Sequence, residues 1–162
     1  MRQRISIGID PGIYGAIACI NAATLEVIEL LDTPVITAEG KRLYDISAMA
    51  ATIRRLSLLG DGIVILEQAQ SMPGQGVTST FATGRGFGIS EGILGALDVS
   101  YRTVRPIVWT RKVLAGVPGE GKARSINFVM RMFPGAELTS KGCKRVKDGR
   151  ADSLCLAYYG TL

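Results

Sequence analysis

Apolar residues recur at two different spacings along this chain, and the switches between those spacings mark out its elements. Residues 4–9 alternate and read as a strand that runs into Asp10, where Pro11 and Gly12 turn the chain. Apolar runs at 16–20 and 26–31 follow after short connections, so the opening segment predicts a three-stranded antiparallel meander. Residues 34–40 read as a loop. Asp45 is placed to N-cap a helix reaching about residue 59, with Ile46, Met49, Ala50, Ile53 and Leu56 on one face. Residues 63–66 are continuously apolar, the mark of a strand buried in a parallel sheet, and they deliver Glu67 at its end. A Pro/Gly-rich loop at 71–76 leads to a helical segment at 78–97 and a short strand at 101–104. Helices at 110–115 and 123–133, a basic loop at 139–147 and a closing helix at 148–159 complete the chain. This order predicts an α/β fold, a five-stranded mixed sheet flanked by helices, in one domain spanning 1–162.

Composition narrows the chemistry. At 162 residues and 47% hydrophobic, the chain has enough apolar material for one core. It has no histidine, which removes Ser-His-Asp and Cys-His catalysis and any His-ligated zinc site. Cys19, Cys143 and Cys155 are far apart with no CxxC pair, as expected of a reducing compartment. No signal segment or membrane span is legible, so the expected location is cytoplasmic, in association with nucleoid or viral DNA, with an organellar or viral origin left open. The net charge of +5 hides a split. Residues 1–100 hold seven basic and ten acidic residues, a net −3, and residues 101–162 hold twelve and four, a net +8. Candidate phosphate-binding residues in the second part are Arg111, Lys112, Lys122, Arg124, Lys144, Arg145, Lys147 and Arg150, with Lys141 in the same loop. A solvated basic surface is the plain alternative.

Four carboxylates stand out against this background. Asp10 follows one strand and Glu67 ends another, and the ends of adjacent strands in open α/β sheets are where ligands bind. Asp148 and Asp152 share one face of the closing helix. Each has an ordinary reading, Asp10 as turn chemistry and Asp148 as an N-cap. Together, with neither His nor Cys, they make a hard oxygen site suited to Mg²⁺ or Mn²⁺. Two such ions can hydrolyse a phosphodiester without a protein nucleophile.

These residues lie in motifs with a known counterpart. GIDPG at 8–12, LEQ at 66–68 and DGRADSLCLAYYG at 148–160 resemble the three acidic motifs of the RuvC-type Holliday junction resolvases, which have the ribonuclease H-like fold. The stretch from Pro106 through WTRKVLAG and GEGKARS to FPGA resembles the family as well. The resemblance implies a structure-selective endodeoxyribonuclease that cuts four-way DNA junctions in pairs, leaving 5′-phosphate and 3′-hydroxyl ends. It implies a homodimer with two Mg²⁺ or Mn²⁺ ions per site. Asp10, Glu67 and Asp152 would be metal ligands, and Lys122 would stand near the scissile phosphate. Bacterial members place a fourth acid three residues before the last, where this chain has Gly149; Asp148 would substitute, a pattern closer to phage-type and organellar relatives. Gln70 stands where bacterial members often carry a stacking aromatic.

Other motifs point elsewhere. GVPGEGKA at 116–123 is one residue from a phosphate loop, but Ala123 lacks the magnesium-binding hydroxyl and a helical segment precedes it, so no nucleotide cofactor is expected. Gly84, Gly88, Gly92 and Ala96 form a stripe of small residues that either packs on the subunit's own sheet or meets a second copy. Trp109 reads as a core anchor. The alternatives in function are a related nuclease acting on forks, flaps or RNA–DNA hybrids, and a non-catalytic DNA-binding module. An actin-like ATPase would need two domains of this kind.

Overall fold

The computed structural model describes every residue except Met1, Met72 and Lys141. Strands β1 (Arg4–Asp10), β2 (Ala16–Asn21) and β3 (Val27–Asp32) form the expected meander. A small hairpin, β4 (Val35–Ala38) and β5 (Lys41–Tyr44), comes next. Then follow α1 (Ile46–Ser57), β6 (Asp61–Glu67), α2 (Val77–Ala96), β7 (Tyr101–Val104), α3 (Pro106–Val113), α4 (Lys122–Met132) and α5 (Asp148–Tyr159). The main sheet has the order β3-β2-β1-β6-β7, with β6 and β7 parallel to β1. It is the five-stranded mixed sheet that the sequence predicts.

Two expectations fail locally. The segment read as a loop at 34–40 is the first half of the β4–β5 hairpin, since Glu39 and Gly40 at positive φ make a tight turn between its strands. The helix expected from residue 110 begins at Pro106, whose fixed φ suits a first helical turn.

Alternation along β1 decides what lies on each face of the sheet. Ile5, Ile7 and Ile9 join Ile17, Cys19, Met49, Ile53, Leu56 and Leu94 in a core beneath α1 and α2. The opposite face of β1 carries Ser6 and Gly8 between Arg4 and Asp10 at its ends. A second core fills that side, built from Ala18, Ile20, Ile65, Trp109, Leu154 and Leu156 under α3, α4 and α5. The small residues let α5 lie directly on the strand. A Cβ at Gly8 would collide with the Ser153 carbonyl and the Ala157 amide, and Ser6 Oγ donates to Ala157 O at 2.6 Å. The contacts descend from Gly149 near Asp10 to Gly160 near Ser6, so α5 runs antiparallel to β1. Its first turn therefore stands above the C-terminal end of β1.

Candidate functional site

Asp10 and Glu67 emerge side by side, because Ile9 and Leu66 are register partners in the parallel β1–β6 pair. Asp10 Oδ1 accepts the Gly12 N–H at 3.1 Å in the turn that follows the strand. Glu67 Oε2 accepts from Trp109 Nε1 at 2.6 Å. Trp109 is a buried core residue, as the sequence suggests, but its indole N–H also orients a site carboxylate. Asp152 faces the pair from α5 and shares a hydrogen bond with buried Ser125 of α4. Asp148 lies at the first turn of α5. The helix's N-cap is Lys147 with no side-chain cap, so the N-cap reading of Asp148 is set aside, and its carboxylate pairs with Lys122 instead.

The electrostatics follow from this crowding. Burial pushes Glu67 up to about 7, and the charges of Asp10 and Asp152 add to the rise against the pull of Trp109. Asp152 is also pushed up to about 7, chiefly by burial, with Asp10 and Asp148 adding to it. Burial raises Asp10 as well. Partial burial opposes ionisation of Asp148, but Lys122 outweighs it and holds the carboxyl below its ordinary value. Among the described residues no three such groups stand at the spacing of a finished metal cage. What fits a hard divalent cation is the donor set, all oxygen, largely buried and short of positive charge.

Gly149 explains the position of the fourth acid. A Cβ there would stand 2.6 Å from the Tyr14 carbonyl and 2.8 Å from Gly15 Cα. No side chain fits three residues before Asp152 without moving the β1–β2 turn, whereas Asp148 faces the groove.

A groove of about 520 Å³ runs past Asp10, Lys122, Arg145, Lys147, Asp148 and Gly149, with Tyr14 and Cys143 on its wall. A second, of about 570 Å³, opens from Asp10 and Glu67 towards Gln70, Thr83 and Ile107. Of the predicted phosphate-binding residues, Lys122 and Arg145 thus gather at the acids, with exposed Lys144 in the same loop, while Lys147 borders the groove with its ammonium paired to Asp32 at 2.8 Å. Others do not. Arg150 is only 8% exposed and donates to Asp32 and to the Leu30 and Glu137 carbonyls. It is a buried strut, with no donor facing the groove. Arg124 binds the Leu114 carbonyl. Lys112 sits 5.3 Å over the Tyr159 ring at the far end of α5, and Arg111 is its exposed neighbour. Lys141 lies outside the described residues. The sequence reading missed the Trp109–Glu67 and Ser125–Asp152 bonds, and it missed Tyr14. The only signal for Tyr14 was an aromatic in the turn that follows Asp10.

The helix α3 before Gly116 confirms that GVPGEGKA lacks the strand a phosphate loop requires. The glycine stripe of α2 is turned outward. Gly86, Ser90, Ile93 and Leu94 face the core, while added Cβ atoms at Gly84, Gly88 and Gly92 would touch nothing, which removes the reading of the stripe as contact with the chain's own sheet. No helix of the described residues is long and apolar enough to cross a membrane.

No protein-family model matches this chain, and no curated protein matches it in sequence. Solved structures do match in shape. Thermus thermophilus RuvC in complex with a Holliday junction substrate aligns with a TM-score of 0.65 and 15% identity, over 96% of this chain and 91% of that one. A further Thermus thermophilus RuvC structure gives 0.63 and 17%, over 96% and 92%. The yeast mitochondrial Holliday junction resolvase Ydc2 gives 0.59 and 12%, over 99% and 78%. With its sheet order and flanking helices, the chain has the ribonuclease H-like fold in the form shared by these RuvC-type structures.

Proposed function

We propose that this chain is a metal-dependent endodeoxyribonuclease that resolves four-way DNA junctions by paired hydrolysis, leaving 5′-phosphate and 3′-hydroxyl ends. The observation that carries the reading is the meeting of Asp10 and Glu67, at adjacent strand ends, with Asp148 and Asp152 of the helix above them, on a fold whose solved neighbours are junction resolvases. Asp10, Glu67, Asp148 and Asp152 would hold Mg²⁺ or Mn²⁺, two ions per site, which would supply water activation and neutralise charge on the phosphate. The chain's own residues do the rest. Trp109 and Ser125 fix the directions of Glu67 and Asp152, Lys122 waits beside Asp148 at the groove, and Lys144 and Arg145 grip the DNA backbone. The acid pattern, with Asp148 in place of residue 149, supports a reading closer to the phage-type and organellar variant.

The functional unit is a homodimer that meets through α2. Its outward stripe of Gly84, Gly88 and Gly92 continues into Val77 and Phe81, which are 87% and 71% exposed, and a second copy would cover it. Two sites in fixed relation suit the paired strands of a junction.

The test is incubation with labelled four-way junction, fork, RNA–DNA hybrid and linear duplex, with Mg²⁺ or EDTA. Junction cleavage in symmetric positions that EDTA abolishes is expected. Preference for forks or hybrids would reassign the substrate, and binding without cleavage would make the chain a DNA-binding module.

A further inference from the structure

The turn between β1 and β2 holds a large aromatic side chain in water beside the acids. Tyr14 is 68% exposed, the one exposed tyrosine of the five in the chain. Its backbone is not free to move. Gly15 N–H donates to Gly12 O at 2.8 Å, Thr33 Oγ1 donates to the same carbonyl at 2.9 Å, and Thr33 N–H donates to Gly15 O at 3.0 Å. Beneath it the Tyr14 carbonyl abuts Gly149. A side chain so exposed on a turn so fixed gains nothing for the core.

The hairpin that the sequence concealed supplies a second part. Tyr44 Oη donates to Pro11 O at 3.1 Å, which ties β5 to the same turn. Two residues earlier on β5, the Arg42 guanidinium lies 5.0 Å from the centre of the Tyr14 ring. The ring is thus backed by a cation, and most of the side chain stands in water. The ring borders the groove that holds Asp10, Lys122, Arg145, Lys147 and Asp148, while the neighbouring groove past Glu67 is lined by no aromatic side chain.

An aromatic face backed by arginine, in a basic groove, is the arrangement that receives a nucleobase released from its stack. Branched DNA offers such bases at its crossing point. We propose that Tyr14, braced by Arg42, is a stacking platform that holds one unpaired base of the bound strand beside the phosphate to be cleaved. The proposal rests on the reading of the chain as a nuclease of branched DNA. Stacking is tolerant of base identity, so the platform positions the strand without reading its sequence.

The experiment measures junction affinity for the full chain with Ca²⁺ in place of Mg²⁺, using wild type, Tyr14→Ala, Tyr14→Phe, Tyr14→Trp and Arg42→Ala. A set of junctions carries a single abasic nucleotide, moved one position at a time through the branch point. Tyr14→Ala should weaken binding of the intact junction by about 5-fold or more, and Arg42→Ala by less. Tyr14→Phe and Tyr14→Trp, which keep the ring, should bind like wild type. At one abasic position the Tyr14→Ala loss should vanish, because base and ring act as a pair. Additive losses at every position, or a Phe variant as weak as the Ala variant, overturn the platform and leave the nuclease reading standing. Failure of the wild-type chain to bind any junction overturns both.

Discussion

Two carboxylate clusters in this molecule have opposite characters. At the end of β3, Asp32 accepts from Lys147 and Arg150 at 2.8 Å each and from Ser140, and these donors outweigh partial burial to hold it at about 2. At the ends of β1 and β6, Glu67 and Asp152 have one neutral donor each and several like charges for neighbours, and both are pushed up to about 7. The same short stretch serves both clusters, since Lys147 and Arg150 turn one way and Asp148 and Asp152 the other. The chain spends its strongest donors on the strut and leaves the other cluster short of positive charge. A fold gains stability from the first arrangement and loses some to the second, which is the usual sign that the second has a task.

The contrast breaks most sharply by substitution. Asp10→Asn, Glu67→Gln and Asp152→Asn should each lower junction cleavage by at least ~10²-fold in single-turnover assays, with junction binding kept. Their melting temperatures should hold or rise, because each removes a buried charge that lacks a counter-ion. Asp148→Asn should impair cleavage too, and adding Gly149→Asp should not rescue it, because the β1–β2 turn occupies that space. Asp32→Asn should show the reverse pattern, a loss of about 2 kcal/mol in denaturant unfolding as Arg150 is left buried without its partner. Cleavage should fall less, through loosening of the 139–147 loop. A site variant with near-normal turnover would remove that residue from the proposed ligand set.

Acidity separates the clusters in the opposite order. Asp32 has a lowered value, so its contribution is present above the ordinary 3.8 and is lost as pH falls towards about 2. Glu67 and Asp152 have raised values, so their contribution is present below the ordinary 4.5 and 3.8 and is lost as pH rises through about 7. The EDTA-treated chain should therefore melt highest in mild acid and lose stability towards neutrality. Added Mg²⁺ should raise the melting temperature most near neutral pH, and Asp152→Asn should blunt that rise. A melting temperature unaffected by pH between about 5 and 8 would count against the uncompensated cluster.

The smallest effects test the basic residues. Charge reversal of Lys144 or Arg145 should lower the log–log salt slope of duplex-arm binding by roughly 0.9 per lost contact. Lys112→Ala, on the Tyr159 ring at the other end of α5, should leave the slope unchanged. Equal effects at both ends would mean that DNA runs the length of the helix.

Much of this was legible in the chain. Periods of two and of three to four residues mark strands and helices wherever one face is buried, as in β1 and α1, and an unbroken apolar run marks β6, each within about two residues. Strand ends place Asp10 and Glu67, and helical spacing pairs Asp148 with Asp152. The β4–β5 hairpin was not legible, because its residues are mostly exposed and carry no strong alternation. Partner choice was not legible either. The +8 charge of the second part announces an anionic partner, but nothing local says that Arg150 crosses 118 positions to Asp32 while Arg145 stays at the groove. Trp109 reaches Glu67 across 42 positions, and Arg42 lies over Tyr14, for the same kind of reason. Periodicity is a property of neighbours in sequence, so the sequence by itself determined the elements and which acids stand at their ends. Charge satisfaction is a property of neighbours in space, so only the tertiary structure, set by the close seat of α5 on Ser6 and Gly8, decided which charges are paired and which are left to bind.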